Sequence, residues 1–205
     1  MSTFWDQRYS GTVFAYGEEP NAFLKEQAYL LKPGMKALAV GDGEGRNGVW
    51  LAQLGLRVLS LDRSTVGLSK ARSLARWRGV SLLTEEADLL TWQWPEEEFD
   101  AVVSIFLHFA SPDRERMHRA FMAALKPQGT LILVAFTPEQ LSFNTGGPEQ
   151  RELLYTAETL RHDFSGMNIS WLREIVAPLN EGVYHHGMGA MVQLVASKLA
   201  SSVQP

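Results

Sequence analysis

Between residues 36 and 136 short apolar runs alternate with stretches whose apolar residues recur at helical spacing, the rhythm of βαβ units around a parallel sheet. The runs at 36–40, 56–61, 81–84, 100–106 and 130–136 read as five strands. Residues 47–54 gather Val49, Trp50, Leu51 and Leu54 into a one-sided helix, with Gly55 at the C-cap position. The stretch 65–78 sets Lys70, Arg72, Arg76 and Arg78 among Leu68, Ala71, Leu74, Ala75 and Trp77, and its basic residues read as a solvated helix face. Ser111-Pro112-Asp113 offers an N-cap residue and a proline at the first helical position, opening a helix to about residue 125. Lys126-Pro127-Gln128-Gly129 then reads as a turn.

Beyond Phe136 the pattern changes. Residues 137–150 contain Gly146-Gly147-Pro148 and read as a loop, followed by a short helix at 151–163. The last apolar runs, 169–179 and 190–196, are joined by too short a linker for a parallel crossover, which predicts an antiparallel pair at the sheet edge. Residues 1–31 read as a helical or irregular cap, and no internal repeat is visible, so the chain reads as one α/β domain over 1–205 with its sheet and helices in 36–200.

Composition narrows the classes. With 205 residues, 45% hydrophobic and 20% charged, the chain has the balance of a soluble globular protein, and a chain this long buries about 70% of its unfolded surface without needing crosslinks. It has no cysteine, which removes disulfides, thiolate metal sites and a cysteine nucleophile and leans toward a reducing compartment, so cytoplasm is the expected location. No segment approaches the ~20 apolar residues of a membrane span, and no basic start leads into an apolar run. A net charge of −4, from 19 Lys+Arg against 23 Asp+Glu, gives no general attraction to nucleic-acid backbones and favours a small-molecule ligand.

The chemistry concentrates after the first strand, in Val40-Gly41-Asp42-Gly43-Glu44-Gly45-Arg46-Asn47. Glycines between a strand and a helix let the backbone turn sharply and let a ligand lie against main-chain atoms, so this loop reads as a site for a nucleoside-containing cofactor. A dinucleotide fingerprint wants its third glycine where Arg46 stands; the GxGxG present here suits a nucleoside joined to an amino acid, with no pyrophosphate to nest. Asp62, ending the second strand, is placed to accept hydrogen bonds from both ribose hydroxyls. After the third strand, the Ala87 N–H and the Asp88 carboxylate are expected to read the adenine edge.

With Gly41, Gly43, Gly45, Asp62 and Asp88 in place, the chain resembles the class I S-adenosylmethionine-dependent methyltransferases, and more narrowly their tellurite-resistance branch, with looser similarity to thiol and thiopurine methyltransferases. The narrower match is carried by Phe4-Trp5-Asp6-Gln7-Arg8-Tyr9, Tyr16-Gly17, Pro20-Asn21, Gly43-Glu44-Gly45-Arg46-Asn47, Phe99-Asp100, Ser104-Ile105-Phe106, Thr137-Pro138-Glu139-Gln140 and Thr145-Gly146-Gly147-Pro148. The resemblance implies a Rossmann-like α/β fold, a doubly wound seven-stranded sheet in the order 3-2-1-4-5-7-6 with the seventh strand antiparallel and helices on both faces. It implies S-adenosylmethionine as cofactor and S-adenosylhomocysteine as product. Cofactor contacts would come from Trp5, Arg8, Tyr16 and Gly17 closing from the N-terminal segment, from Gly41, Asp42, Gly43, Gly45 and Arg46, from Asp62 and Arg63, from Ala87 and Asp88, and from Ile105 and Phe106. Trp5, Tyr9 and Tyr16 equally suit an aromatic cluster that tacks the N-terminus to the sheet. One departure stands out: the acid usual two positions before the first glycine is Ala39, with Asp42 as a partial substitute, and this makes a non-catalytic cofactor-binding module the alternative function.

Methyl transfer from a sulfonium is an in-line displacement that needs positioning and exclusion of water and no metal. A thiolate or a tellurium or selenium oxyanion needs no strong base, whereas an alcohol or amine does. His108, after the fourth strand, is the best-placed candidate base; His185 and His186 either line the same mouth or are exposed, and lack a third ligand for a metal. Arg151 and Tyr155 are candidates for a lid hinged at Gly146-Gly147, and Arg46 for pairing with the cofactor carboxylate or an anionic substrate. The run Ser104-Ile105-Phe106-Leu107 occupies the place where DNA amino-methyltransferases carry an Asn/Asp-Pro-Pro-aromatic motif, which argues against a nucleic-acid substrate. The identity of the acceptor and the oligomeric state are not legible.

Overall fold

The computed structural model describes residues 4–200, so residues 1–3 of the expected cap and 201–205 lie outside the described residues. Seven strands, β1 Lys36–Val40, β2 Arg57–Asp62, β3 Leu83–Glu86, β4 Phe99–Ile105, β5 Leu125–Phe136, β6 Met167–Asn180 and β7 His186–Lys198, form one sheet in the order β3-β2-β1-β4-β5-β7-β6. The strands β3, β2, β1, β4 and β5 are parallel, and β7 runs antiparallel to both β5 and β6. The central strands are covered on both faces, which is why they read as continuous apolar runs: Ala37 to Val40 are all at most 2% exposed. On one face Leu38, Val40, Leu61 and Val102 pack against Met117 and Phe121 of α5 (Asp113–Ala124) and Leu160 of α6 (Ala157–Asp163). On the other, Ala37, Ala39 and Val103 pack against Leu51 of α3 (Arg46–Gln53) and Phe23 and Leu24 of α2 (Ala22–Glu26).

Four expectations change in detail. β3 lies two residues later than the apolar run 81–84, because this edge strand is mostly exposed and its place is fixed by pairing Asp62 with Glu86 and not by hydrophobicity. The turn expected at 126–129 is a bulge inside β5: Gln128 takes φ +65°, and the pairing with β4 shifts between Phe99 and Ala101. The helix expected at 151–163 is a 3₁₀ turn, Arg151–Leu153, followed by α6, whose N-cap Thr156 accepts from the Thr159 N–H at 3.1 Å. The last hairpin is antiparallel, but only β6 is at the edge; β7 inserts beside β5.

The N-terminal segment, with α1 (Phe4–Tyr9), folds over the loop that follows β1. It is held there by polar contacts between distant residues. Asp6 accepts from Ser64 Oγ at 2.6 Å, Glu44 accepts from the Ala15 N–H at 2.7 Å, and Lys70, ion-paired with Glu44, donates to the carbonyls of Gly11 and Val13 at 2.9 Å each. Among the described residues no helix is long and apolar enough to cross a membrane.

Candidate functional site

The strand order reverses at β1, whose neighbours β2 and β4 send their connections to opposite sides, and a crevice opens beyond the carboxyl ends of these strands. The chain leaves β1 through Gly41-Asp42-Gly43-Glu44-Gly45 and enters α3. Gly43 and Gly45 sit at φ +59° and +87°, and a Cβ would lie 2.6 Å from the Tyr9 hydroxyl at Gly43 and 2.5 Å from Ala71 Cβ at Gly45, so both conformation and space demand glycine. This close path brings the Gly43 N–H to Asp62 Oδ2 at 2.8 Å, while the Ser64 N–H reaches Oδ1 at 2.8 Å. Each carboxylate oxygen keeps a further acceptor direction. Burial raises the Asp62 pKa, opposed by the Ser64 and Gly43 N–H groups.

The crevice is a cavity of about 1040 Å³. Gly41 to Glu44, Asp62, Arg63 and Ala87 to Leu90 line one end; Trp5, Arg8, Tyr9, Tyr16 and Gly17 roof it; Ile105, Phe106, Phe136, residues 144–150 and the hairpin tip at 183–186 line the other end. The roof is a run of rings, with Trp5 stacked on Tyr9 at 5.7 Å, Tyr9 edge-on to Tyr16 at 6.4 Å, and Tyr16 4.5 Å from His185. Arg8 lies over the Tyr184 ring at 3.9 Å. Phe106 occupies the left-handed region at φ +55°, a strained backbone for an aromatic residue at the end of β4, and stacks on Phe136 at 4.4 Å. Every residue expected to contact a cofactor, apart from Gly45 beneath the loop, lines this cavity. The aromatic residues of the N-terminal segment therefore tack that segment down and face the crevice at once.

Several side chains do something other than expected. His108 is half-buried with both ring nitrogens engaged, Nδ1 2.7 Å from the Leu153 carbonyl and Nε2 accepting from the Phe136 N–H at 3.3 Å. Burial, together with the nearby His185 and against the Leu153 hydrogen bond, pushes its pKa down to about 4. The reading of His108 as a base is corrected: its one lone pair is already taken, and it ties β5 to the 3₁₀ turn that carries Leu153. His108→Ala is expected to lower the unfolding free energy by about 1–3 kcal/mol by orphaning the Leu153 carbonyl and the Phe136 N–H. Thermal denaturation checks the loss, and unchanged stability would show those groups to be satisfied otherwise.

Asp42 points into the protein, accepting from Ser60 Oγ at 2.7 Å and the Gly48 N–H at 3.1 Å. Burial pushes its pKa up to about 7 against those two hydrogen bonds. It secures the first turn of α3 and is not free to take the place of the acid missing at Ala39. The Ala87 N–H donates to the Asp62 carbonyl at 2.9 Å, so the expectation that it reads an adenine edge is also corrected. Among the described residues the Leu89 N–H, one step past Asp88 and on the cavity lining, carries no intramolecular hydrogen bond. Arg46 is paired with Glu181 at 2.7 Å, both groups being about nine-tenths buried, so its charge is already matched.

Residues 37–129 match the model of a family described as a methyltransferase domain. The fold as a whole superposes on solved SAM-dependent methyltransferases, including one from Methanosarcina mazei (TM-score 0.70, 18% identity, 89% of this chain and 100% of that one). This chain has the class I S-adenosylmethionine-dependent methyltransferase fold. The methyltransferase fold extends to TehB from Haemophilus influenzae (TM-score 0.70, 16% identity, 95% of this chain and 66% of that one). It also covers a protein solved in work on conversion of a disulfide bond into a thioacetal group during echinomycin biosynthesis (TM-score 0.76, 22% identity, 97% and 92%). By sequence, a sterol 24-C-methyltransferase of Gibberella zeae is 31% identical over 134 residues, 61% of this chain and 35% of that relative. A phosphoethanolamine N-methyltransferase of Arabidopsis thaliana is 32% identical over 104 residues, 50% of this chain and 21% of that relative. The aligned part is thus well under half the length of these curated relatives.

In this crevice, the sequence left His185 undecided and passed over Glu181. His185 is 5% exposed and lines the cavity, whereas His186 is exposed at its rim. A pair of adjacent histidines in a hairpin tip alternates in direction, so one of them had to face inward.

Proposed function

We propose that this protein transfers a methyl group from S-adenosylmethionine to a small-molecule acceptor. The observation that carries the reading is the Asp62 carboxylate at the end of β2, fixed by the Gly43 and Ser64 N–H groups with acceptor directions to spare, at the strand-order reversal. A ribose diol is the ligand group such a carboxylate takes best. Asp88 and the Leu89 N–H supply an acceptor and a donor for the adenine edge, and the φ > 0 glycines leave the loop backbone open to the methionine arm. When bound, the sulfonium offers an electrophilic methyl: the acceptor's lone pair forms the bond to carbon, the carbon–sulfur pair returns to sulfur, and any proton on the acceptor goes to a base.

The chain's own contribution is to hold the acceptor in line and exclude water. The aromatic roof from α1 and the tip of the β6–β7 hairpin are drawn together by the N–H groups of Val183 and Tyr184 on the Ala15 carbonyl, at 3.0 and 3.3 Å, which closes the crevice over the reacting end. Those apolar walls favour a soft, weakly solvated nucleophile such as a thiol; a chalcogen oxyanion is suggested only by the resemblance to the tellurite-resistance branch. The absence of cysteine supports action in the reducing cytoplasm.

Thermal denaturation with added ligand tests the reading. At a hundred times its dissociation constant, S-adenosylmethionine or S-adenosylhomocysteine is expected to add about 2.7 kcal/mol of stability, and NAD none. The reverse ranking ends the proposal. Binding without passage of labelled methyl to any thiol, chalcogen oxyanion or small amine would leave a non-catalytic cofactor-binding module.

A further inference from the structure

Beside the aromatic roof, the β6–β7 hairpin tip holds a histidine–carboxylate pair. His185 is almost completely buried, with its ring set among Tyr16 at 4.5 Å, Phe106 at 4.7 Å and Phe136 at 5.2 Å. Its Nδ1 is sealed from solvent and has no hydrogen-bond partner; the group it faces is Glu181 Oε2, at 3.7 Å. Glu181 is anchored on other sides, by Arg46 Nη2 at 2.7 Å, by Asn21 Nδ2 at 2.7 Å, and through its own N–H on the His185 carbonyl at 2.8 Å. Burial alone would raise its pKa, but His185 and Arg46 outweigh burial and hold it down to about 2, so the carboxylate is charged throughout the physiological range.

These contacts fix the chemistry of the ring. A buried carboxylate 3.7 Å from Nδ1 favours the proton on that atom, which leaves the lone pair on Nε2. Among the described residues no hydrogen bond to His185 Nε2 is found, and His185 lines the cavity. Gly146 comes close to the ring edge: a Cβ there would lie 2.7 Å from His185 Cδ2 and 3.3 Å from Nε2. His108, by contrast, has no lone pair left to offer.

We propose that His185, oriented by Glu181, is the general base of this site and takes a proton at Nε2 from an acceptor that enters as a neutral thiol on an apolar body. The proposal rests on the methyl-transfer reading and sharpens it. The acceptor proton moves to Nε2, the sulfur lone pair so freed forms the bond to the methyl carbon as described above, and the imidazolium returns the proton to solvent. Burial lowers the His185 pKa against the opposing pull of Glu181, so the ring is neutral and ready to accept. Even so weakened, an imidazole is far better matched to a thiol, with a pKa of about 8.5, than to an alcohol, which is far less acidic. An oxyanion arriving already charged needs no base, and the Glu181 carboxylate so close by disfavours it. The ring edges around His185 suit a polarisable sulfur.

The test pairs two acceptors of similar size, benzyl mercaptan, protonated at neutral pH, and thiobenzoate, ionised there. His185→Asn is expected to lower labelled-methyl transfer to benzyl mercaptan by about a hundredfold or more, with little change toward thiobenzoate. Equal losses with both, or wild-type protein that is stabilised by S-adenosylmethionine yet methylates neither, overturns the base. A second readout needs no cofactor: ring-nitrogen NMR of His185 at neutral pH is expected to show a protonated Nδ1 and a bare Nε2, and the opposite tautomer overturns the proposal. In Glu181→Gln those ring signals should move toward a mixture of tautomers; unchanged signals would remove Glu181 as the positioning residue. A protein that S-adenosylmethionine fails to stabilise while the His185 tautomer is as expected marks failure of the methyl-transfer reading instead.

Discussion

Asp62→Ala is expected to weaken S-adenosylhomocysteine binding by about ten- to hundredfold in a calorimetric titration. The substitution removes a charge-assisted acceptor worth roughly 1.5–3 kcal/mol, and 1.4 kcal/mol is about tenfold in affinity. It also releases the Gly43 and Ser64 N–H groups that the carboxylate holds at 2.8 Å, so the loop loses its template along with the proposed ribose contact. Asp62→Asn keeps one acceptor oxygen and loses the charge, and should fall between wild type and alanine. Affinity unchanged in both variants would place the sugar elsewhere and remove the main support of the proposed function.

The largest loss of stability is expected at the opposite face of the sheet from α3. Asp163, at the end of α6, has its side chain 1% exposed; its Oδ2 accepts from Arg114 Nε and contacts His118 Nδ1, both at 2.7 Å. Burial alone would raise its pKa, but the contacts with His118 and Arg114 outweigh burial and hold the carboxyl well below the usual range. Asp163→Ala leaves the Arg114 charge without its buried partner, which costs about 3–5 kcal/mol. For a chain of this length that is a fall in Tm of roughly 6–20 °C. The sign of the pH dependence follows from the depressed pKa. Asp163 contributes its stability above the ordinary carboxylate pKa of about 4 and loses it as pH falls toward the folded value, so the Tm gap between wild type and variant should narrow below about pH 4. A gap independent of pH would mean that packing and not charge is what the alanine removes.

The parallel half of the sheet was legible because β1, β2, β4 and β5 are buried on both faces, and doubly buried strands announce themselves as unbroken apolar runs. β3 was misplaced for the complementary reason: an edge strand with exposed Leu83, Glu85 and Glu86 is specified by its neighbour. At the site, the glycines and Asp62 were legible because backbone conformation and a strand-end carboxylate are local properties. The fates of His108, Asp42 and Arg46 were not, since each is decided by a partner far along the chain: Phe136 and Leu153, Ser60, and Glu181 respectively. Ala87 failed on a finer scale, its N–H being taken up by the neighbouring Asp62 carbonyl.

The ion pair between Arg46 and Glu181 joins residues 135 positions apart, one at the start of α3 and one in the last hairpin. Position 46 is where a dinucleotide-binding loop would carry glycine. Swapping cofactors by restoring that glycine would strand a buried carboxylate at the far side of the crevice and loosen the hairpin that bears His185. The residue that distinguishes this loop from a pyrophosphate cradle is thus also the rivet that holds the last hairpin against the start of α3.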